Sequence, residues 1–327
     1  MKAAYYESKG AAREVLRVGE MDRPEPAPGE VRVRVHASGV NPTDTKGRGG
    51  FRGNATMPFP RIIPHQDGAG VIDAVGDGVP PSRIGERVWI YEAQWQRPFG
   101  TAAEYVSVPD AQAVRLPDGV GFAEGACLGI PAMTAHRCVF ADGDVRGKTV
   151  LVSGGAGAVG FYAIQFAKWG GATVLTTIGD DAQRELVLGA GADHAINRKS
   201  EDVAARVREL TGGGVDRIVE VAFGANLAVD GAILNPRAVV ATYASDAMTE
   251  PQFPFYAFMG KNATIHFVLV YLMTVEAHAA AARDITKALE EGALQHSIAK
   301  RFALDDIAAA HEAVETGHQN GKVIVEI

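Results

Sequence analysis

Thr149-Val150-Leu151-Val152-Ser153-Gly154-Gly155-Ala156-Gly157-Ala158-Val159-Gly160 is the stretch on which the fold turns. A short apolar strand runs into G-x-G-x-x-G, and a helical pattern follows over 161–169. Each glycine has a physical task. Gly155 takes the tight turn, Gly157 lets a pyrophosphate approach a backbone without a Cβ, and Gly160 lets the helix pack closely on the strand. The helix N-terminus then offers free N–H groups and a partial positive charge to phosphates. Alone the motif is weak, but its surroundings strengthen it. Residues 173–177, 194–197, 217–221, 238–243 and 264–270 read as strands, and 183–188 and 203–210 as helices. That alternation predicts a doubly wound parallel sheet carrying a dinucleotide.

The end of the second strand addresses which dinucleotide. NAD sites place an Asp or Glu there to hold the ribose 2′-OH. Here the chain reads Thr176-Thr177-Ile178-Gly179, and the missing acid favours NADPH. Arg184 lies one helical turn further on and Arg198 after the third strand; each is a candidate for the 2′-phosphate or an ordinary surface charge, with Asp180 and Asp181 opposing an anion nearby.

The length of 327 residues suits two domains. The formal net charge is -7 with no lysine or arginine run, which argues against nucleic acid as a partner. Two cysteines make no disulfide framework and fit a reducing compartment. The N-terminus has no apolar leader, and the apolar window 265–273 is too short to cross a bilayer, so the expected location is the cytoplasm, away from membranes. The first third reads as β-structure: 31–37, 70–76 and 86–90 look like strands, separated by Gly- and Pro-rich turns at 24–29 and 76–81, as in a small barrel. Helices are expected over 275–291 and 305–316, and a last strand over 322–327.

With these motifs in hand, the chain resembles the medium-chain dehydrogenase/reductase superfamily, in particular its zinc-free, zeta-crystallin-like quinone oxidoreductases. The likeness rests on Gly39-Val40-Asn41-Pro42-Thr43-Asp44-Thr45, Gly70-Val71-Ile72-Asp73-Ala74-Val75-Gly76, Gly85-Glu86-Arg87-Val88, Gly129-Ile130-Pro131-Ala132-Met133-Thr134-Ala135, Gly191-Ala192-Asp193 and Gly321-Lys322-Val323. It implies an α/β chain with a GroES-like β-barrel catalytic domain over 1–123 and 268–327 and a Rossmann NADPH-binding domain over 124–267. It also implies a homodimer or homotetramer with NADPH between the domains. By motif, Asn41, Lys46 and Thr134 would meet the nicotinamide, and Gly157, Ala158, Val159 and Gly160 the pyrophosphate. Gly179, Arg184 and Arg198 would meet the adenosine end, and Asn226, Ala244, Ser245 and Tyr271 would line the remainder. Lys46 departs from the family, which commonly has Tyr there.

Zinc-dependent relatives carry a Cys and a Gly-His-Glu segment where this chain has Asn41 and His65-Gln66-Asp67, and the third position falls near Ile130. Amides are poor zinc ligands, and His65, Asp67, Asp44 and Cys127 are not spaced like a known site, so no metal is expected. Without a Lewis acid, alcohol–ketone interconversion gives way to substrates that accept hydride readily, such as quinones and activated enones. Asn41 is a candidate donor to a quinone oxygen, or else fixes the loop before Pro42; Asp44 orders that loop or binds the nicotinamide ribose. Enoyl thioester reductases, the first rival reading, look for a tyrosine where this chain has Gly49-Gly50-Phe51, and Phe51 has no hydroxyl to donate. The second rival is a cofactor-binding protein without catalysis, crystallin-like or RNA-binding, against which the acidic balance counts for RNA.

Overall fold

Strand β1 (Thr149–Val152) lies inside a six-stranded, wholly parallel sheet. Its companions are β2 (Thr173–Ile178), β3 (His194–Asn197), β4 (Val215–Glu220), β5 (Leu234–Thr242) and β6 (Thr264–Phe267), in the order β3-β2-β1-β4-β5-β6. This is the doubly wound order, and it reverses between β1 and β4, where ligands of such sheets bind. The strands read as unbroken apolar runs because both faces are covered. Leu151, Leu175, Ile196, Ile218 and Val240 form one core with Phe223 and Leu227 of the helix Phe223–Ile233. Residues 223–233 carry no periodic signal for a helix. Packing makes it: a Cβ at Gly231 would sit 3.2 Å from Ala257 and Phe258, so glycine permits the close approach.

The computed structural model describes residues 1–317 and 319–327, the side chain of Arg52 excepted. Two units emerge, Met1–Ile130 with His296–Ile327, and Pro131–Gln295. The return to the first unit therefore comes after Gln295, not at 268 as expected, and the first crossing falls after Ile130. The reason is the helix Val275–Glu290, which the second unit holds with polar ties. Asp284 meets His136 at 3.0 Å, Glu291 accepts from the Trp169 indole at 2.8 Å, and Gln295 N–H donates to Gln165 at 2.6 Å. The expected strand 264–270 also stops at Phe267, and Val270–Leu272 forms a single 3-10 turn. No helix among the described residues is long and apolar enough to cross a membrane.

The first unit is built on a seven-stranded sheet around the long strand Glu30–Val40. That strand changes neighbour along one edge. Residues Glu30 to Arg34 pair with Tyr105–Pro109, and Ala37 to Val40 pair with Lys322–Glu326. On its other edge it pairs antiparallel with Asp67–Val75, Gly39 facing Asp67. The register thus gathers Asn41, Asp67 and Lys322 at one corner, although the chain separates Asn41 from Lys322 by 281 positions.

Candidate functional site

In the second unit the glycine turn is as tight as its sequence demands, with a change of roles. The left-handed residue is Gly154, at φ +69, not Gly155. Gly155 is glycine for space: a Cβ there would lie 2.1 Å from Thr176 Oγ1. Gly160 abuts the turn itself, where a Cβ would lie 2.4 Å from the Gly154 carbonyl oxygen. Gly157 is different. Among the described residues, chain neighbours aside, a Cβ there would meet just that same carbonyl oxygen, at 3.4 Å, so the space above Gly157 is open to a ligand. Gly157 is also the N-cap of the helix Ala158–Trp169, and Ala158, Val159 and Gly160 supply its first turn. Free N–H groups and the helix dipole suit a diphosphate there. Thr177 steadies the turn, its Oγ1 accepting from Gly154 N–H at 3.0 Å.

Beyond β2 the two arginines separate. Arg184 is committed: it donates to the Ala195 carbonyl at 2.6 Å and to Asp181 at 2.8 Å, and pairs with Glu201 at 3.7 Å. This tie holds Asp181 below its usual carboxylate range. Arg198 is exposed, and its guanidinium lies 3.4 Å from where a Gly179 Cβ would stand, with no side-chain partner among the described residues. A free cation beside a bare Cα, at the strand end that lacks the acid, suits a 2′-phosphate.

At the switch point, Ser153 directly follows β1 and Glu220 ends β4. Asn226 donates through Nδ2 to Ser153 Oγ at 3.2 Å and to Glu220 Oε1 at 3.0 Å. Ala244 and Ser245 line a cavity of about 270 Å3 with Phe223, Thr242, Tyr243, Phe267, Val268 and Leu269. The Ser245 hydroxyl is spent inside the chain, accepting from Gly224 N–H at 2.9 Å and donating to the Met248 carbonyl at 2.5 Å. Thr134, on the helix Gly129–Phe140, and Tyr271 are both buried.

In the first unit Asn41 caps the helix Pro42–Gly49, and its backbone N–H donates to Asp44 Oδ2 at 2.7 Å. Its side chain is a buried joint: Nδ2 donates to Asp67 Oδ2 at 2.8 Å and Oδ1 accepts from Lys322 Nζ at 2.5 Å. Lys322 also meets Asp67 Oδ2 at 2.6 Å, and Asp67 Oδ1 accepts from Ile130 N–H at 2.8 Å. Asp67 is 0% and Lys322 3% exposed. Two glycines make the room: a Cβ at Gly39 would meet Lys322 Cε at 2.7 Å, and one at Gly129 would meet Asp67 Oδ1 at 2.1 Å. Burial, reinforced by the Asp67 charge, raises Asp44 to about 7 against the Asn41 N–H and Lys322. Sequence reasoning missed this pair, since Lys322 was only part of a terminal motif. Lys46 sits on the surface of this unit, its Nζ 5.4 Å from the Phe51 ring centre, in a pocket of about 230 Å3 shared with Glu315.

Behind that joint runs a chain of hydrogen bonds. Arg48 Nε donates to His311 Nδ1 at 3.4 Å, so neutral His311 carries its proton on Nε2 and offers it to His65 Nε2 at 3.0 Å. His65 Nδ1 then donates to Ser38 Oγ at 2.8 Å, Ser38 to Thr101 Oγ1 at 2.7 Å, and Thr101 to the Asp67 carbonyl at 2.6 Å. Burial holds both rings neutral, His311 down to about 3 and His65 well below the ordinary value. His65 is held at φ 82, a left-handed backbone that few non-glycine residues adopt. The donor set does not fit zinc. Both His65 nitrogens are engaged, Asn41 is bonded at both ends, and the Gln66 amide is tied to Gln94 at 3.1 and 3.2 Å. Among the described residues, no three His, Cys, Asp or Glu are placed to hold a metal.

Comparison with known proteins matches each unit. Residues 27–118 fit the family described as alcohol dehydrogenase GroES-like domain, and 158–286 the one described as zinc-binding dehydrogenase. A Rattus norvegicus quinone oxidoreductase is 32% identical over 92% of this chain and 89% of its own. Among solved structures, an NAD-dependent alcohol dehydrogenase superposes with TM-score 0.88 at 27% identity, covering 100% of both chains. A mycobacterial protein complexed with NADPH superposes with TM-score 0.86 at 26% identity, also covering 100% of both. Its parallel sheet, its GroES-like unit and this near full-length likeness make the chain an oxidoreductase belonging to the quinone oxidoreductase family of the medium-chain dehydrogenases/reductases.

Proposed function

We propose that the chain is an NADPH-dependent quinone oxidoreductase working without a metal. The observation that carries the cofactor choice is Arg198, free beside Gly179 where an NAD site holds an acid. The first-turn amides of Ala158, Val159 and Gly160, with the open space at Gly157, suit the pyrophosphate, and Ala244 and Ser245 wall the cavity further along the strand ends. Bound NADPH supplies the hydride, and a quinone, already electrophilic, takes it. Asn41 and Asp44 act as a positioning pair that holds the helix Pro42–Gly49, and with it Lys46, in place. Of the two arginines, Arg184 serves the fold and Arg198 the 2′-phosphate.

The test is NADPH oxidation with 1,4-benzoquinone and 9,10-phenanthrenequinone. Turnover above the rate without enzyme is expected. Arg198→Ala should raise the KM for NADPH about 10-fold or more while leaving NADH unchanged, the loss of one charge-assisted hydrogen bond. Gly157→Ala should weaken NADPH binding yet leave the thermal midpoint alone, because its methyl meets almost no protein. Inert quinones beside turnover of a small enone or a crotonyl thioester transfer the assignment to the alkene reductases. NADH binding as tightly as NADPH refutes the cofactor choice.

We further propose a homodimer formed at the edge strand β6. Phe267 there is 76% exposed, and Leu269, Leu272, Phe255 and Tyr256 on the same unit are also exposed, which is more apolar surface than a monomer needs. Sedimentation should return twice the chain mass, and Phe267→Lys should return the monomer. A native chain that sediments as a monomer at micromolar concentration overturns this.

A further inference from the structure

Glu220 is buried at the end of β4 with no role in the reading above, and its surroundings give it one. It accepts from the Ala222 N–H and from Asn226 Nδ2, and the Ser153 hydroxyl also bonds to it. Asn226 spends both Nδ2 hydrogens, one on Glu220 and one on Ser153 Oγ. An amide so held cannot flip, because the flipped form would aim its oxygen at a carboxylate. Its Oδ1 is left facing away from these two partners, with none of its own among the described residues. β4 opens the second mononucleotide-binding half of a doubly wound sheet, the half that does not hold the adenosine.

We infer that Glu220 is a positioning residue: it locks the Asn226 amide so that Oδ1 stands as a fixed acceptor for a hydroxyl or amide donor on the nicotinamide half of the dinucleotide. The inference rests on the cofactor reading above. A second buried acid competes with Glu220 for a proton: burial pushes the Glu220 carboxyl up, and its hydrogen-bond donors pull it back down. Asp230, one turn beyond Asn226 on the helix Phe223–Ile233, is equally buried, and its Oδ2 has no partner among the described residues. Two buried carboxyls so near each other do not both ionise readily. Glu220 has four donors, Ala222, Asn226, Ser153 and Val221, and Asp230 Oδ2 has none among the described residues, so the charge rests on Glu220 in preference to Asp230. Burial, then the Glu220 charge, pushes Asp230 well above the carboxylate range, in the same direction.

Calorimetric titration with two ligands tests this. NADPH carries both halves, whereas 2′,5′-ADP carries only the adenosine half with its 2′-phosphate. Glu220→Gln sets an NH2 against the Asn226 NH2 and frees the amide to turn. Both Glu220→Gln and Asn226→Ala should weaken NADPH about 10-fold, the double variant should be no worse than either, and 2′,5′-ADP should bind all of them as it binds the native chain. Native NADPH affinity in Glu220→Gln overturns the inference, as does equal loss of both ligands, which would mark a general fault in the fold. Should Glu220→Gln not fold, Asn226→Asp carries the test alone, since its carboxylate cannot donate to Glu220 and must turn away; unchanged NADPH affinity there is equally fatal. A native chain that binds neither ligand instead sinks the cofactor reading itself.

Discussion

Lys322→Met is expected to cost about 3–5 kcal/mol of folding stability, the usual result of removing one partner of a buried ion pair. Asp67 lies wholly out of water and depends on this ammonium at 2.6 Å. Without it, the Asn41 amide and the Ile130 N–H remain as donors, but the net charge does not. Asp44 aggravates the loss, since the two carboxylates already repel each other and Lys322 offsets both. The double variant Asp67→Asn/Lys322→Met should recover most of the stability, because it removes the stranded charge along with its partner. Urea titration of the native, single and double variants measures all three. A single variant within about 1 kcal/mol of the native chain would show that the pair contributes no more than a surface contact.

The second large effect is acid sensitivity. His311 is neutral in the fold down to about pH 3, whereas an unfolded chain protonates it near 6.5. Below that ordinary value the unfolded state binds the extra proton, so stability drains as pH falls, at up to about 1.4 kcal/mol per pH unit. Asp44 works the other way. Its folded value of about 7 lies above the unfolded 3.8, so the fold gains stability as pH falls through that interval. The histidine contribution is therefore read as a difference. His311→Asn should lose about 1.4 kcal/mol less per pH unit than the native chain between about pH 6 and pH 4. Parallel stability curves would show that His311 is not held neutral.

How much of this was readable in advance follows from distance along the chain. The six parallel strands were legible because strands buried on both faces must be apolar throughout, and the glycine turn because its residue types are forced locally. The assignment of the turn to Gly155 failed by one position, since Gly154 and Gly155 are the same residue and only the backbone tells which one bends left-handed. The helix Phe223–Ile233 was missed because glycines and β-prone residues hide its buried face. Arg184 and Arg198 were indistinguishable for a similar reason: one follows β2 and the other β3, neighbouring strands whose ends lie side by side, and only packing shows that Asp181, Ala195 and Glu201 already occupy the first. That Asn41, Asp67 and Lys322 meet had no local signal, although each stood in a stretch of its own. Sheet register alone brings them together, and register between distant strands is not written in any one window of sequence.

The split layout of the first unit also sets an order of assembly during synthesis. Residues 296–327 are made after the whole of Pro131–Gln295, yet they carry Lys322 and the strand that pairs with Ala37 to Val40. The second unit has all its strands in one continuous stretch and can close while the ribosome is still at work. The first unit must wait with Asp67 uncompensated and one strand edge bare, an interval in which a chaperone or a neighbouring nascent chain finds exposed backbone to pair with. Its folding is thus timed by translation of residues 296–327.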